Sequence, residues 1–527
     1  MKSESDWLPL AHRWAGPALA AAVVAFGAWL RFSHIDGPFE QPDEPVATYV
    51  VAHVLSTPGF DTNWAHTQLR DEAGPAQYNF SSYYLTLAGL ERTRQAFGLR
   101  SPNEAFDART VFFRECSAVF SVLALVGVLG IAQRIGGWGL ALAAGLWVAV
   151  DPLLVQDSHY ARPEAFLVFL VVCLLALALA RGAPGILRPT AAGLVFGFLI
   201  ACKVTLVLWF WLPLMACFPR AADWTGAGWA ARLRRLAGVG FGTLAGFAAG
   251  APRAVSDLGG YLAGIRYLKN GYGGTFNFYS HANGAPVADY VVHYLWATTG
   301  WALACLFLVG LAATAVRRRW PQLIGIFAPP VVLIAFMGTQ HSFFERNLSH
   351  AVPFYLIGAG FGLLALLQLP SPRRWTLASL PLLAVAAAIV PAEISVRLVQ
   401  DGFSGRYERH RVAQLTAFLA SLSERPLDGS HLVRATDDDN PWFRQPKNGP
   451  GPYVALWQDV NPEITRAGLA RLHEHYTFEE RATFPGLFDD LPGPNTLRDY
   501  LGRTVRVLVF RDGPHSRDPR GAVPAKR

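Results

Sequence analysis

Four short pieces of this sequence hold side chains able to do chemistry together. FEQPDEPVATYVVAHVL carries adjacent carboxylates at Asp43 and Glu44. DPLLVQDSHYARPEAFLVF crowds Asp157, His159, Arg162 and Glu164 into eight positions. A lone lysine, Lys203, interrupts the apolar run GFLIACKVTLVLW. HSFFERNLSHAVPFY brings Arg346, with His341 and His350 on either side. A carboxylate can take a proton from an acceptor hydroxyl. Arg and Lys can grip a phosphate and stabilise the charge it gains as a leaving group. Acids and cations held on one membrane face therefore suit transfer from a phosphate-linked lipid.

Each piece also has a structural use. Asp43 or Glu44 can cap the helix that follows, with Pro45 in its first turn. The Asp157–Glu164 group can be an interfacial cluster with a helix starting at Pro163. Lys203 can snorkel to the interface. Arg346 can pair locally with Glu345. The case for chemistry rests on whether the fold brings the four pieces together.

The elements that must do so are membrane helices. Of 527 residues 52% are hydrophobic and 16% are charged, against about 25% charged in soluble domains. Mean hydropathy is +0.26. A crossing needs roughly 20 apolar residues. Candidate spans are 14–31, 112–133, 138–155, 164–180, 236–255, 291–316, 322–338, 351–369 and 375–392. The run 189–218 is long for one span and short for two. Charge decides for two short spans. The inside segments then hold Lys2, Arg13, Arg134, Arg181, Arg188, Arg220, Arg232, Arg234, Arg235, Arg317, Arg318, Arg319, Arg373 and Arg374, against only Glu4, Asp6 and Asp223. That bias predicts about eleven spans, a cytoplasmic N-terminus and an extracytoplasmic C-terminus. It also puts Lys203 at an outer turn and all four pieces on the outer side.

The N-terminal run lacks a small-residue cleavage site before Arg31, so it reads as a retained span. The net charge of +8 is accounted for by cytoplasmic loops. No basic run interleaved with aromatics suggests a nucleic-acid partner. The five cysteines, Cys116, Cys173, Cys202, Cys217 and Cys305, sit in apolar runs. They show no disulfide or zinc spacing.

The expected organisation is a membrane region over 1–400, with a long outer loop at 32–111, and a C-terminal outer domain over 401–527. The tail has helical spacing at 407–423 and strand-like HLVRAT, YVALWQDV and RTVRVLVF. Residues 512–527 have a disordered composition. The fold class is mainly α: a polytopic transmembrane helical protein with a small C-terminal α/β domain.

The order of the pieces resembles the GT-C superfamily of membrane glycosyltransferases. It is most similar to the branch holding protein O-mannosyltransferases and the lipid A aminoarabinose transferase. PDEPVATYVVAHVL resembles the family's Asp-Glu motif after the first span. VAVDPLLVQDSHYARPEAFLVFLVV resembles its second motif, where Glu164 departs from the usual acid, Asp. GLVFGFLIACKVTLVLW resembles the short span pair with a lysine. RNLSHAVPFYLIGAGFGLLAL resembles the late segment in which an Arg precedes a Pro-containing span. The resemblance covers roughly 10–400 and leaves the tail out.

It implies a hexosyl- or pentosyltransferase with a polyprenyl-phosphate sugar donor and an inverting transfer. Asp43 would be the base or would orient the acceptor, assisted by Glu44. Asp157 and Glu164 would shape the pocket, Lys203 and Arg346 would grip the donor phosphate, and His159, Arg162 and His341 would line the substrate site. A divalent metal ion on Asp43, Asp157 and Glu164 is left open. The acceptor would be a glycan, lipid or protein hydroxyl, and membrane lipids surround the site. The Arg-over-Lys and Ala/Gly bias suits a GC-rich bacterial genome, which makes the membrane a bacterial inner membrane. The alternatives are a transporter or flippase of lipid-linked glycans, a whole-oligosaccharide ligase, and a non-catalytic scaffold. The absence of an internal repeat disfavours the transporter.

Overall fold

The structure is a computed structural model. It describes residues 7–37, 44–68, 78–99, 106–180, 185–218, 228–275, 280–281, 283–368 and 373–422, together with 425–426, 432–434, 453–458, 469–470, 478–487 and 504–510 of the tail. Five described helices are long and apolar enough to cross a membrane, or seven if two bent pairs each count as one span. Two shorter apolar helices, Leu187–Cys202 and Val204–Met215, accompany them. This is a multi-pass membrane protein with a small sheet at its C-terminal end.

The first helix, α1 (Trp7–Phe32), packs along the long helix α4 (Phe106–Val150). Between them in sequence lie α2 (Glu44–Ser56) and α3 (Ser81–Ala96). Helix α4 covers two of the expected spans. Gly137 divides it, with φ 78° and ψ −175°, a backbone state that a residue without Cβ reaches at little cost.

The next break is built from polar capping and proline. Asp151 accepts the Leu154 N–H at 3.0 Å and Pro152 opens α5 (Pro152–Ser158). Pro163, at the first turn of α6 (Pro163–Ala178), needs no N–H partner there. The chain bends by 117° between α5 and α6. That elbow presents Asp157, His159, Arg162 and Glu164 at one corner. A second break follows α7 (Leu187–Cys202), where Lys203 turns extended (φ −144°, ψ 104°) before a short 3-10 stretch at Val204–Trp209. The 189–218 run is thus two short helical pieces meeting at Lys203.

Two helix pairs touch backbone to backbone through glycine. A Cβ on Gly193 or Gly197 of α7 would lie 2.2 or 2.0 Å from the carbonyl oxygens of Val239 or Thr243, in the helix Trp229–Gly250. A Cβ on Gly362 would lie 1.8 Å from the Leu306 oxygen, which locks the helix Val352–Leu367 onto Trp301–Val316. Small residues let helices approach where lipid offers no hydrophobic drive.

The tail's sheet has strands β1 (Arg425–Pro426), β2 (Leu432–Arg434), β3 (Tyr453–Gln458), β4 (Phe478–Phe484) and β5 (Val505–Phe510). Its order is β1-β3-β5-β4, with β2 also on β3. β1 and β2 run parallel to β3, while β5 pairs antiparallel with β3 and β4. The helix Arg406–Ser421 lays Leu415, Phe418 and Leu419 over Val507 and Val509. The expected helix and three strands are present. β4 is an addition, because FEERATF lacks clean alternation. Residues 512–527 lie outside the described residues.

Candidate active site

Glu44 opens α2 and is fully buried. Its carboxylate takes both arms of Arg114 from α4: Nε to Oε1 at 2.8 Å and Nη2 to Oε2 at 2.7 Å. Such a two-point ion pair fixes direction as well as distance. The Ala161 N–H donates to the same Oε1 at 2.7 Å. Arg114 Nη1 donates to the Gly37 carbonyl at 3.0 Å. One ion pair therefore ties the chain after α1, the start of α2, the middle of the bundle and the elbow before α6. Asp43, the residue before Glu44, lies outside the described residues.

Beyond this anchor the elbow, the Lys203 break and the turn Glu345–Ala351 converge. Asp157 accepts a hydrogen bond from the Ser349 hydroxyl. Arg162 Nη2 donates to Glu164 Oε1 at 3.3 Å. Lys203 shares its electrostatic surroundings with Glu164, Arg346 and Arg162. The Asn347 amide donates to the Tyr272 hydroxyl at 2.9 Å, and the Arg346 guanidinium lies 4.7 Å from the Phe344 ring centre. Burial pushes the Tyr272 phenol above its usual range, against the pull of Arg346.

Buried polar atoms of Glu164 and His350 in this cluster have no hydrogen bond among the described residues. Glu164 Oε2 is buried and accepts nothing. His350 is fully buried, and neither ring nitrogen has a hydrogen bond. Its ring meets Trp209 edge-on at 5.3 Å, and Lys203 is its charged neighbour. A buried polar group left unmade costs about 1–3 kcal/mol. Groups of this kind, side by side with cations, are suited to a polar ligand.

The fold brings together Asp157, Arg162, Glu164, Lys203 and Arg346, with Glu44 behind them. Two expected residues stand apart. His159 turns its Nδ1 to the Val155 carbonyl at 2.9 Å and its Nε2 to the Ser33 carbonyl at 3.0 Å. Its ring stacks on Phe403 at 3.9 Å. His341 lies at a loop surface, with Nδ1 2.8 Å from the Gly284 carbonyl oxygen. Arg114, Tyr272, Asn347 and Ser349 went unnoticed in the sequence. Arg114 carried a usable signal, a charge inside the apolar run TVFFRECSAVF, since an ion within a span marks a partner or a pathway. The other three are ordinary polar residues whose role appears only in three dimensions.

No family model matches the chain, and no curated protein matches it. Solved structures with a similar arrangement do exist. One is the archaeal oligosaccharyltransferase AglB from Archaeoglobus fulgidus, in complex with an inhibitory peptide and a dolichol-phosphate. It is 13% identical over 74% of this chain, with a TM-score of 0.47. The chain spans only 56% of that protein's length. Another is ArnT from Cupriavidus metallidurans in the apo state, 15% identical over 94% of this chain and 98% of that one, with a TM-score of 0.48. The same protein bound to undecaprenyl phosphate gives 14% identity, 96% and 98% coverage, and a TM-score of 0.43. At such identities and scores the likeness says nothing about which residues act, so the site is read from its own side chains.

A divalent ion fits the described part of the site poorly. Asp157 and Glu164 offer hard oxygen donors. However, Arg162 already pairs with Glu164, and Lys203 and Arg346 share the same field. Positive charge is supplied here by side chains, so no step is routed through a metal.

Proposed function

We propose that the protein is an integral membrane glycosyltransferase. It moves a sugar from a polyprenyl-phosphate-linked donor to an acceptor hydroxyl on the extracytoplasmic side, with inversion. The observation that carries this reading is the buried Lys203 beside Glu164 and His350, two groups with unpartnered polar atoms. A phosphate needs cations to hold it, and a sugar needs hydrogen-bonding groups the protein has not already used.

In this reading Asp43 takes the acceptor proton. The acceptor oxygen attacks the anomeric carbon from the face opposite the phosphate. The bond from that carbon to the phosphate oxygen breaks, and polyprenyl phosphate leaves with the bonding electrons. Lys203, Arg162 and Arg346 stabilise its new charge. Preorganised charge of this kind in a water-poor site is worth more than in bulk solvent. Glu44 does not take the proton itself. Locked by Arg114, it holds Asp43's end of the chain to the elbow. Glu164 and His350 bind sugar hydroxyls. The lipid tail lies among the apolar helices, residues 1–400 form the catalytic region, and 401–527 form an outer domain. The N-terminus is cytoplasmic. The sugar and acceptor stay open, with protein hydroxyls, lipid A, cell-wall polymers and lipid-linked glycans all fitting.

The test is release of free polyprenyl phosphate by the protein in lipid, across a panel of polyprenyl-phosphate monosaccharides with candidate acceptors. Wild type is expected to turn over one donor, and Asp43→Asn to be slower by roughly 10²-fold or more, as loss of a general base can cause. Absence of donor binding in wild type, read by comparison with Arg346→Ala, would overturn the proposal.

A further inference from the structure

A second polar cluster lies at the other end of α2, outside the site above. His53 sits in the last turn of α2, His66 in the 3-10 turn Trp64–His66, and Asp61 between them. Nine residues separate Glu44 from His53, so the two ends of α2 stand about 14 Å apart. Asp61 Oδ2 lies 2.6 Å from His66 Nδ1 and 3.5 Å from His53 Nε2. One ligand atom from each of the three residues falls within 4.8 Å of the others. His53 Nε2 is shielded from solvent and has no hydrogen bond.

The surroundings hold these atoms in place. The Asn63 N–H donates to Asp61 Oδ1 at 3.0 Å, which leaves Oδ2 facing the two rings. Asn63 also caps the short turn by accepting the Ala65 N–H at 3.0 Å. Beneath it Trp64 is buried, its indole N–H donating to the Asn79 carbonyl at 3.2 Å. The Thr62 and Ser81 hydroxyls bond at 2.7 Å. Burial alone raises the pKa of Asp61, but the His66 hydrogen bond and the Asn63 amide outweigh it and hold the carboxyl below its usual range. Next to the cluster, the Tyr78 hydroxyl donates to Asp257 at 2.8 Å.

We propose that His53, Asp61 and His66 bind one Zn²⁺ ion, with a fourth position left to water. Two imidazole nitrogens and one carboxylate oxygen are donors that zinc accepts at about 2.0–2.2 Å, and sites with three protein ligands keep the fourth open. Tetrahedral ligands at that radius stand roughly 3.4 Å apart, close to the His53–Asp61 separation. His66 must back away from Asp61 by several tenths of an ångström. Its side chain is 53% exposed, so it has room to move and leaves a face open to solvent. The Asn63 amide on the outer carboxylate oxygen is the supporting contact a metal-bound carboxylate usually has. The ion would pin the outer end of α2 to the loop that follows, while Glu44 pins the inner end.

The test uses tag-free, full-length protein in detergent, stripped with a chelator and titrated with Co²⁺. One equivalent is expected to bind, with the visible absorption of a four- or five-coordinate ion, and Zn²⁺ is expected to displace it. His66→Gln should weaken binding by roughly 100-fold or more, beyond the 10–100-fold that loss of a supporting partner causes. Because His66 is half exposed, this variant keeps the fold. Asp61→Asn should act alike while retaining the Asn63 contact. Binding of less than one equivalent, or binding that His66→Gln and Asp61→Asn leave unchanged, would overturn the proposal and leave the cluster a hydrogen-bonded Asp–His pair.

Discussion

Two buried cations in this protein have opposite surroundings. Arg31, at the end of α1, is saturated. Its Nε donates to Ser121 Oγ at 2.7 Å, Nη1 to the Ala149 and Gly27 carbonyls at 2.8 and 3.0 Å, and Nη2 to the Val148 carbonyl at 2.9 Å. Asp151 supplies a nearby negative charge. Lys203 instead shares its pocket with Arg162 and Arg346, which repel it, and with Glu164 and His350, whose polar atoms are partly unused. Sequence type does not separate the two, because both are single cations set against apolar runs, Arg31 at the end of one and Lys203 within another. Satisfaction does. A cation with its hydrogen bonds made internally holds a fold together. One among like charges and unused acceptors has been left for something that arrives later.

If that contrast is right, the largest effect on folding comes from Arg31. Arg31→Leu strips four hydrogen bonds and leaves buried carbonyls at Val148 and Ala149 unpaired. Breaking a buried ionic network costs about 3–5 kcal/mol. Thermal unfolding in detergent should show that loss, while the protein that stays folded keeps its turnover. A variant that is as stable as wild type but inactive would break the comparison.

Lys203→Met should do the reverse. Losing a charge that stabilises a leaving group costs about 2.7–4 kcal/mol in the barrier, or 10²–10³-fold in rate. The melting temperature should change little, since the buried charge that has gone faced Glu164 as well as two like charges. A fall in melting temperature with unchanged turnover would place Lys203 with Arg31.

The same contrast explains how much the sequence disclosed. The turn at 157–164 was legible because its causes are local, a cluster of polar residues and Pro163, whereas the Asp151 cap and Pro152 fell inside the expected span 138–155 and were not read. The Lys203 break was legible because the run 189–218 is long for one span and short for two, with a lysine near its middle. The glycine contacts at Gly197 and Gly362 were not read, although their spacing with Gly193 and Gly358 lies in the sequence. Which glycine faces which helix depends on packing. Nor did the sequence say that Glu44 is occupied by Arg114, 70 positions away, or that the His350 ring makes no hydrogen bond among the described residues. Hydrogen-bond satisfaction belongs to the folded chain. The His53–Asp61–His66 cluster was hidden for a related reason, since its spacing matches no common zinc pattern and only the turn after α2 closes it.

His350→Phe sharpens the comparison further. The ring packs edge-on against Trp209, so an aromatic replacement keeps that contact and removes two ring nitrogens that make no hydrogen bond among the described residues. Stability should not fall. If His350 binds a sugar or phosphate oxygen, the loss is about 1.5–3 kcal/mol, the value of a hydrogen bond to a charged group, or roughly 10–100-fold, read mainly in KM. An unchanged KM would remove His350 from the site.

His159→Phe is the smallest change and the most informative for the elbow. The sequence expectation placed His159 with the substrate residues. Its geometry resembles that of Arg31: both nitrogens face carbonyls, one of them across 126 positions at Ser33. The stack on Phe403 would survive a phenyl ring, so what is lost is the one hydrogen bond a neutral imidazole can donate to either carbonyl, about 0.5–1.5 kcal/mol. The structural role predicts that modest drop in thermal stability with KM and turnover near wild type. A raised KM at unchanged stability would return His159 to the substrate. It would also show that internal satisfaction, the criterion separating Arg31 from Lys203, fails within one turn of the site.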